Sequence, residues 1–156
     1  MKTVYWFFGV MIILVVGAAV LNYIDANAPI QQSATQIQLQ EEVIQAINAA
    51  REENGIVALE VSESLSKSAI ETASKVLVLK DTFRKTYGSR TNKETGRETT
   101  RFFVAGKDSA DAVHTLLQES LSNKVLLNAN QSSIGVGVHE VKLRGEDTYY
   151  FAVFVE

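Results

Sequence analysis

The hydrophobic positions of this chain follow three rhythms. The first is continuous: residues 4–21 form a run of 18 without a charge, and none falls between Lys2 and Asp25. At ~1.5 Å per residue a helix of that length covers ~27 Å, close to the ~30 Å hydrocarbon core of a bilayer. Tyr5 and Trp6 at one end and Tyr23 at the other suit the membrane interface. The pattern predicts a transmembrane anchor over 1–24, with Lys2 and the amino terminus on the cytoplasmic side and the rest of the chain extracytoplasmic. A cleaved signal peptide is the rival reading, because Ala26-Asn27-Ala28 has the small residues of a cleavage site. Pro29 directly after that site, and an apolar run longer than the usual ~7–15 residues, favour the anchor.

The second rhythm is helical. After a polar stretch that holds the only proline and reads as a linker over 25–37, Leu39, Val43, Ala46, Ile47 and Ala50 recur on one face of a helix. Glu41, Glu42, Gln45 and Glu52 take the other face, and Asn54-Gly55 supplies a stop. Ser62 is placed to cap a second helix over 63–79, with Leu65, Ala69, Ala73, Val76 and Leu77 as its apolar stripe. Asp108 can cap a third, over 109–121, with Val113, Leu116, Leu117 and Leu121 on one face. Between the second and third helices the period disappears, which predicts a long polar loop over 80–101 followed by a short strand, Phe102-Phe103-Val104-Ala105.

The third rhythm is that of strands. Ile134-Gly135-Val136-Gly137-Val138 and residues 148–155, joined around Arg144-Gly145-Glu146-Asp147, predict a hairpin. Its second strand is apolar on both faces and so belongs inside a sheet. At 156 residues there is room for one folded domain, placed at 38–156, and the fold class is α+β. With no cysteine, disulfides and thiolate metal sites are excluded, and stability must come from packing.

With these elements in place, the folded part resembles the CAP superfamily, the cysteine-rich secretory, antigen 5 and pathogenesis-related-1 group, in a small bacterial form. The likeness begins at Ile44-Gln45-Ala46-Ile47-Asn48-Ala49-Ala50-Arg51, an opening helix with Asn-x-x-Arg, and continues through Leu65-Ser66-Lys67-Ser68-Ala69. Its most specific part runs from Leu126 through Asn128-Ala129-Asn130-Gln131 to Ile134-Gly135-Val136-Gly137-Val138, followed by an aromatic last strand. The resemblance implies an α-β-α sandwich. It also implies a cavity with two histidines and two glutamates able to hold a divalent cation. In this chain that tetrad is dismantled. Phe83-Arg84-Lys85 stands where a histidine would follow the second helix. Arg101-Phe102-Phe103 replaces the segment carrying a glutamate, and Leu121-Ser122-Asn123 the one carrying the second histidine. Glu119 lies one position from the remaining glutamate.

Candidate chemistry is correspondingly sparse. Gly135 and Gly137 share one strand face, so either a ligand cleft or a close-packed helix can lie against them. His139 follows on that same face, and with Gly135, Gly137 and Glu119 it makes up the candidate ligand cleft. His114 is the only other histidine, on the third helix beside Val113. No His-x-x-x-His, His-Glu-x-x-His or Gly-x-Ser-x-Gly motif is present. No catalytic residue, metal ligand or cofactor is assigned. The predicted loop 80–101 holds seven basic residues against three acidic ones, in a chain of net charge −3. Arg84, Lys85 and Arg90 are therefore candidates for contact with a partner, either an anionic envelope surface or other subunits of a membrane complex. Nucleic acid does not fit a domain outside the cytoplasm. The sequence thus reads as a membrane-anchored, non-catalytic binding domain with the bilayer as one partner. The alternatives are an accessory subunit of a larger membrane complex, and a hydrolase or metal-dependent enzyme with a site of its own.

Overall fold

The computed structural model describes residues 30–75, 86–91, 98–143 and 145–156, and the chain divides into two units, Met1–Gln31 and Gln32–Glu156. Within the second unit, helix α1 spans Ala34–Glu53. It starts earlier than its apolar stripe suggests, because Ser33 and Gln36 form a capping box: Gln36 N–H donates to Ser33 Oγ at 3.2 Å, and Ser33 N–H to Gln36 Oε1 at 2.9 Å. Leu39, Val43 and Ile47 are buried at four-residue spacing, and Arg51 continues the same stripe. The helix stops as expected at Asn54-Gly55, where Gly55 takes φ +71° and Gly55 N–H donates to Glu52 O at 2.9 Å.

A two-residue strand, β1 (Glu60–Val61), leads into α2 (Glu63–Ser74), whose N-cap is Ser62. The rest of the predicted second helix, 76–79, lies outside the described residues. The predicted polar loop 80–101 is corrected in part. Strand β2 (Thr86–Thr91) pairs antiparallel with β3 (Glu98–Gly106), from Thr86 opposite Phe103 to Thr91 opposite Glu98. An edge strand bonds on one side only and has no need of a continuous apolar face, so hydropathy gave no sign of it. The predicted third helix is two: α3 (Ser109–Gln118), capped by Asp108, and α4 (Ser120–Leu126). The break is made by polar side chains. Ser122 Oγ donates to Leu116 O and Asn123 Nδ2 to Leu117 O, so both occupy carbonyls at the end of α3 and the chain re-aims at Glu119.

Strands β4 (Ser133–Leu143) and β5 (Glu146–Val155) form the predicted hairpin. The sheet order is β1-β4-β5-β3-β2, with β5 internal and only β1–β4 parallel. One face, with Phe102, Val104, Val136 and Phe151, packs on α1, α3 and α4; the other, with Ala152, Phe154 and Tyr150, packs on α2. This is the expected α-β-α sandwich.

The membrane anchor is corrected. No helix among the described residues is long and apolar enough to cross a membrane. Even α1, at 20 residues, carries five charged side chains and is amphipathic rather than apolar. The segment 1–24 that prompted the expectation lies outside the described residues. The transmembrane topology, the bilayer as a partner and the cell-membrane localisation are therefore withdrawn.

Candidate binding groove

Arg51 ends the buried stripe of α1 and is 1% exposed, which would be costly for an unpartnered charge. Its guanidinium donates to four carbonyls instead: Nε to Val57 O at 2.8 Å, Nη1 to Leu126 O at 2.6 Å and Asn128 O at 3.0 Å, and Nη2 to Gln131 O at 3.1 Å. Burial pulls its pKa below the ordinary guanidinium value. Carbonyl dipoles, that of Leu126 at the C-terminal end of α4 among them, take the place of a counter-ion. One turn earlier Asn48 performs a related task, accepting from Leu59 N–H at 2.8 Å and donating to Leu59 O at 3.1 Å. Together the Asn-x-x-Arg pair fastens the 54–59 loop and the 127–132 loop to one helix. The sequence offered a signal for this, since Arg51 stands four residues beyond Ile47 on the apolar stripe.

The fastened 127–132 loop forms a wall of an open groove of about 490 Å³ at one end of the sheet, lined by Glu98, Asn130, Gln131, Ser132 and Glu156. Its rim is stitched further by the main chain: Ser132 N–H and Ser133 N–H donate to Glu156 O at 2.8 and 2.9 Å, and Glu156 N–H donates to Ser133 O at 3.0 Å. Ser89 Oγ donates to the Glu98 carboxylate, and Thr99 Oγ1 to Glu156 Oε2 at 3.4 Å. Two carboxylates thus share a groove with amide and hydroxyl groups, and no lysine or arginine among the described residues lines it. Such a set can accept hydrogen bonds from a cationic group. The described residues hold no group of three or more His, Asp or Glu that could bind a metal.

The residues singled out from the sequence fall elsewhere. A Cβ on Gly135 would lie 2.3 Å from the Leu65 carbonyl carbon, and one on Gly137 2.2 Å from that of Ala69, so the backbone of α2 fills the space over both. His139 is half-buried further along that face, opposite Tyr150. Glu119 is exposed at the α3–α4 break, in the helical layer against the opposite face, and so the sheet separates it from the other three. His114 is exposed on α3. Arg84 and Lys85 lie outside the described residues; Arg90 sits in β2, paired with Thr99. Of the residues that the resemblance sets against the tetrad, Phe102 is in the core, Ser122 is buried as a helix cap, and Phe103 stacks on Tyr150 with ring centroids 6.0 Å apart.

The α-β-α layering, the strand order and the Asn-x-x-Arg fastening define a class of fold before any family is consulted. The comparisons agree with it: residues 44–155 match the family described as CAP, the Cysteine-rich secretory protein family. The chain belongs to that family. No curated protein matches it. Among solved structures it is similar to an outer surface protein from Borrelia burgdorferi, with 16% identity, a TM-score of 0.51 and coverage of 81% of this chain and 96% of that one. It is also similar to a cysteine-rich secretory protein from Staphylococcus aureus, with 16% identity and a TM-score of 0.47 over 80% of this chain and 40% of that one.

Proposed function

We propose that this chain is a non-catalytic CAP-family binding domain whose recognition surface is the groove at the end of the sheet, and that the groove accepts a cationic group. The observation that carries the reading is the pairing of Glu98 and Glu156 with three uncharged polar side chains along a wall already immobilised by Arg51. A wall ordered before binding loses little entropy on binding. The non-catalytic part is supported by the residues that the resemblance sets against the family's tetrad: Phe102 and Phe103 have no acid, base or ligand atom, and the buried Ser122 hydroxyl is committed to the Leu116 and Glu119 carbonyls.

The test is titration of the chain with tetralysine, followed by amide chemical shifts. Expected are saturable shifts at Asn130, Gln131 and Ser132 that vanish in the Glu98→Gln/Glu156→Gln variant. Saturable binding that leaves those three amides unmoved would overturn the reading, and so would the absence of binding.

A further inference from the structure

We infer that the groove's natural occupant is an extended basic polypeptide carrying aliphatic side chains, which runs from the groove onto strand β1; the inference rests on the groove reading above.

The two surfaces are mechanically one. A single guanidinium holds Val57 O on one side and Gln131 O on the other, and Glu60 N–H donates to Ser132 O at 2.9 Å. The segment 57–61 is therefore set beside the groove wall by hydrogen bonds. It presents two aliphatic side chains to solvent, Val57 at 83% and Val61 at 61% exposure, the highest values among the large hydrophobic residues of the described chain. Here Arg51 holds the backbone at the Val57 carbonyl and Asn48 holds it two residues further on, at Leu59.

β1 also offers main-chain groups. Among the described residues it is the last strand of the sheet on its side, pairing with β4 alone. Glu60 N–H and Ser62 N–H point inward to Ser132 O and Ile134 O. In a parallel ladder the intervening residue then turns its own N–H and C=O to the outer edge, and here that residue is Val61. An extended peptide can bond there while its side chains meet the valines, the arrangement of strand addition.

Charge selects among occupants. Glu60 is exposed beside Val61, Glu98 and Glu156 line the groove, and from Glu52 to Ser66 the chain has four glutamates and no basic residue. A second copy docked through the same surface in a two-fold arrangement would set these carboxylates against their own equivalents. A saccharide would leave the valines in water. A basic and aliphatic polypeptide sets positive charge beside Glu60 and Glu98, covers the valines and bonds the strand edge at once.

The experiment compares fluorescently labelled peptides of alternating lysine and valine, lysine and serine, and glutamate and valine, each binding to the full chain across a salt series. The lysine–valine peptide should bind at least about tenfold more tightly than the lysine–serine peptide, on the scale of the ~1.4 kcal/mol that corresponds to a factor of ten. Its affinity should fall with salt. Val57→Ser/Val61→Ser should erase that advantage while leaving the tetralysine shifts in the groove unchanged; both positions are exposed, and circular dichroism checks the fold. Equal binding of the lysine–valine and lysine–serine peptides, or indifference to the double substitution, overturns this inference and leaves the groove reading standing. Equal binding of the glutamate–valine peptide overturns its electrostatic part. Concentration-dependent self-association abolished by the same double substitution would make the occupant a second copy. Loss of all cationic binding would overturn both readings.

Discussion

The two faces of the sheet are packed by opposite means. On the face under α1, α3 and α4, large side chains interlock: Phe151, Val153 and Ile134 meet Val43, Ile47 and Leu116, all of them nearly or fully buried. On the face under α2, Phe154 and Tyr150 are buried as well, but along β4 the fit comes from side chains that are absent or nearly so. Gly135 lies beneath Leu65 and Ser66, and Gly137 beneath Ala69 and Ile70. Two residues of strand advance ~6.7 Å and four of helix ~6 Å, so alternate glycines keep step with successive helical turns and α2 beds down along β4. Thus the first face resists the removal of atoms, and the β4–α2 contact on the second resists their addition.

That contrast makes the largest predictions. Phe151→Ala should cost about 3–5 kcal/mol, through lost burial and the cavity left behind, read as a fall in the denaturant midpoint. Gly137→Ala adds only one methyl, yet that methyl would stand 2.2 Å from the Ala69 carbonyl carbon and 2.4 Å from its oxygen. It should cost about 3 kcal/mol, the upper part of the usual overpacking range. The obstacle is backbone, so trimming Ala69 to glycine should not rescue Gly137→Ala. A rescue would mean that side chains govern both faces.

The legible parts of the fold were those where side-chain pattern and structure share a cause. The apolar stripes of α1 and α2, the Asp108 cap, the Gly55 stop and the β4–β5 hairpin all follow from local chemistry. β1 and β2 were invisible because edge strands are defined by their partners, and a strand of two residues has no period to detect. The break at Glu119 depends on Ser122 and Asn123 reaching back six residues, beyond any short-range propensity. The Gly135/Gly137 pair was read as one of two things, and the structure supplies the helix. The groove is not legible in the sequence because its members, Glu98, the 130–132 loop and Glu156, meet only through the sheet. The Asn-x-x-Arg that builds its wall is legible as a family resemblance, whereas the carbonyls it gathers come together only in the fold.

The α2 face also contains Tyr150, which is 5% exposed. Desolvation there raises its phenol from 10.0 to about 12. The native state keeps this proton through a pH range in which the unfolded chain loses it. Any stability tied to the neutral phenol is therefore full below pH 10 and is lost as the pH rises toward about 12. An ultraviolet titration of the folded chain should show one late-ionising tyrosine, missing in Tyr150→Phe, whose alkaline unfolding curve should also be flatter. If Tyr150→Phe removes an early-ionising tyrosine instead, the α2 face is wetter than the packing of Ala69, Ala73 and Phe154 implies.

The smallest effect belongs to the other face, at the polar seam between α1 and α3. Ser109 Oγ donates to Glu42 Oε2, and Gln38 Nε2 donates to Glu42 Oε1 at 2.8 Å. These bonds, Ser109's first, hold the Glu42 carboxyl below its ordinary value of 4.5, against desolvation and the like charge of Asp108. Because the folded value is the depressed one, the unfolded chain takes up the proton first as the solution is acidified. The contribution of the seam is therefore present above pH 4.5 and is lost as the pH falls through the lower, folded value. Ser109→Ala removes the larger bond and leaves the Asp108 cap in place, since that cap uses the Asp111 N–H. In this variant the Glu42 side-chain carboxyl carbon, followed by NMR, should titrate at a higher pH than in the native chain, and the acid limb of the stability curve should be shallower. The seam is accessible to water, so the change in stability should be small beside that of Phe151→Ala, and the shift in titration is the sharper readout. An unmoved Glu42 titration would mean that the Gln38 bond alone orders the carboxylate, and that α1 and α3 are joined by their apolar contacts with no help from the seam.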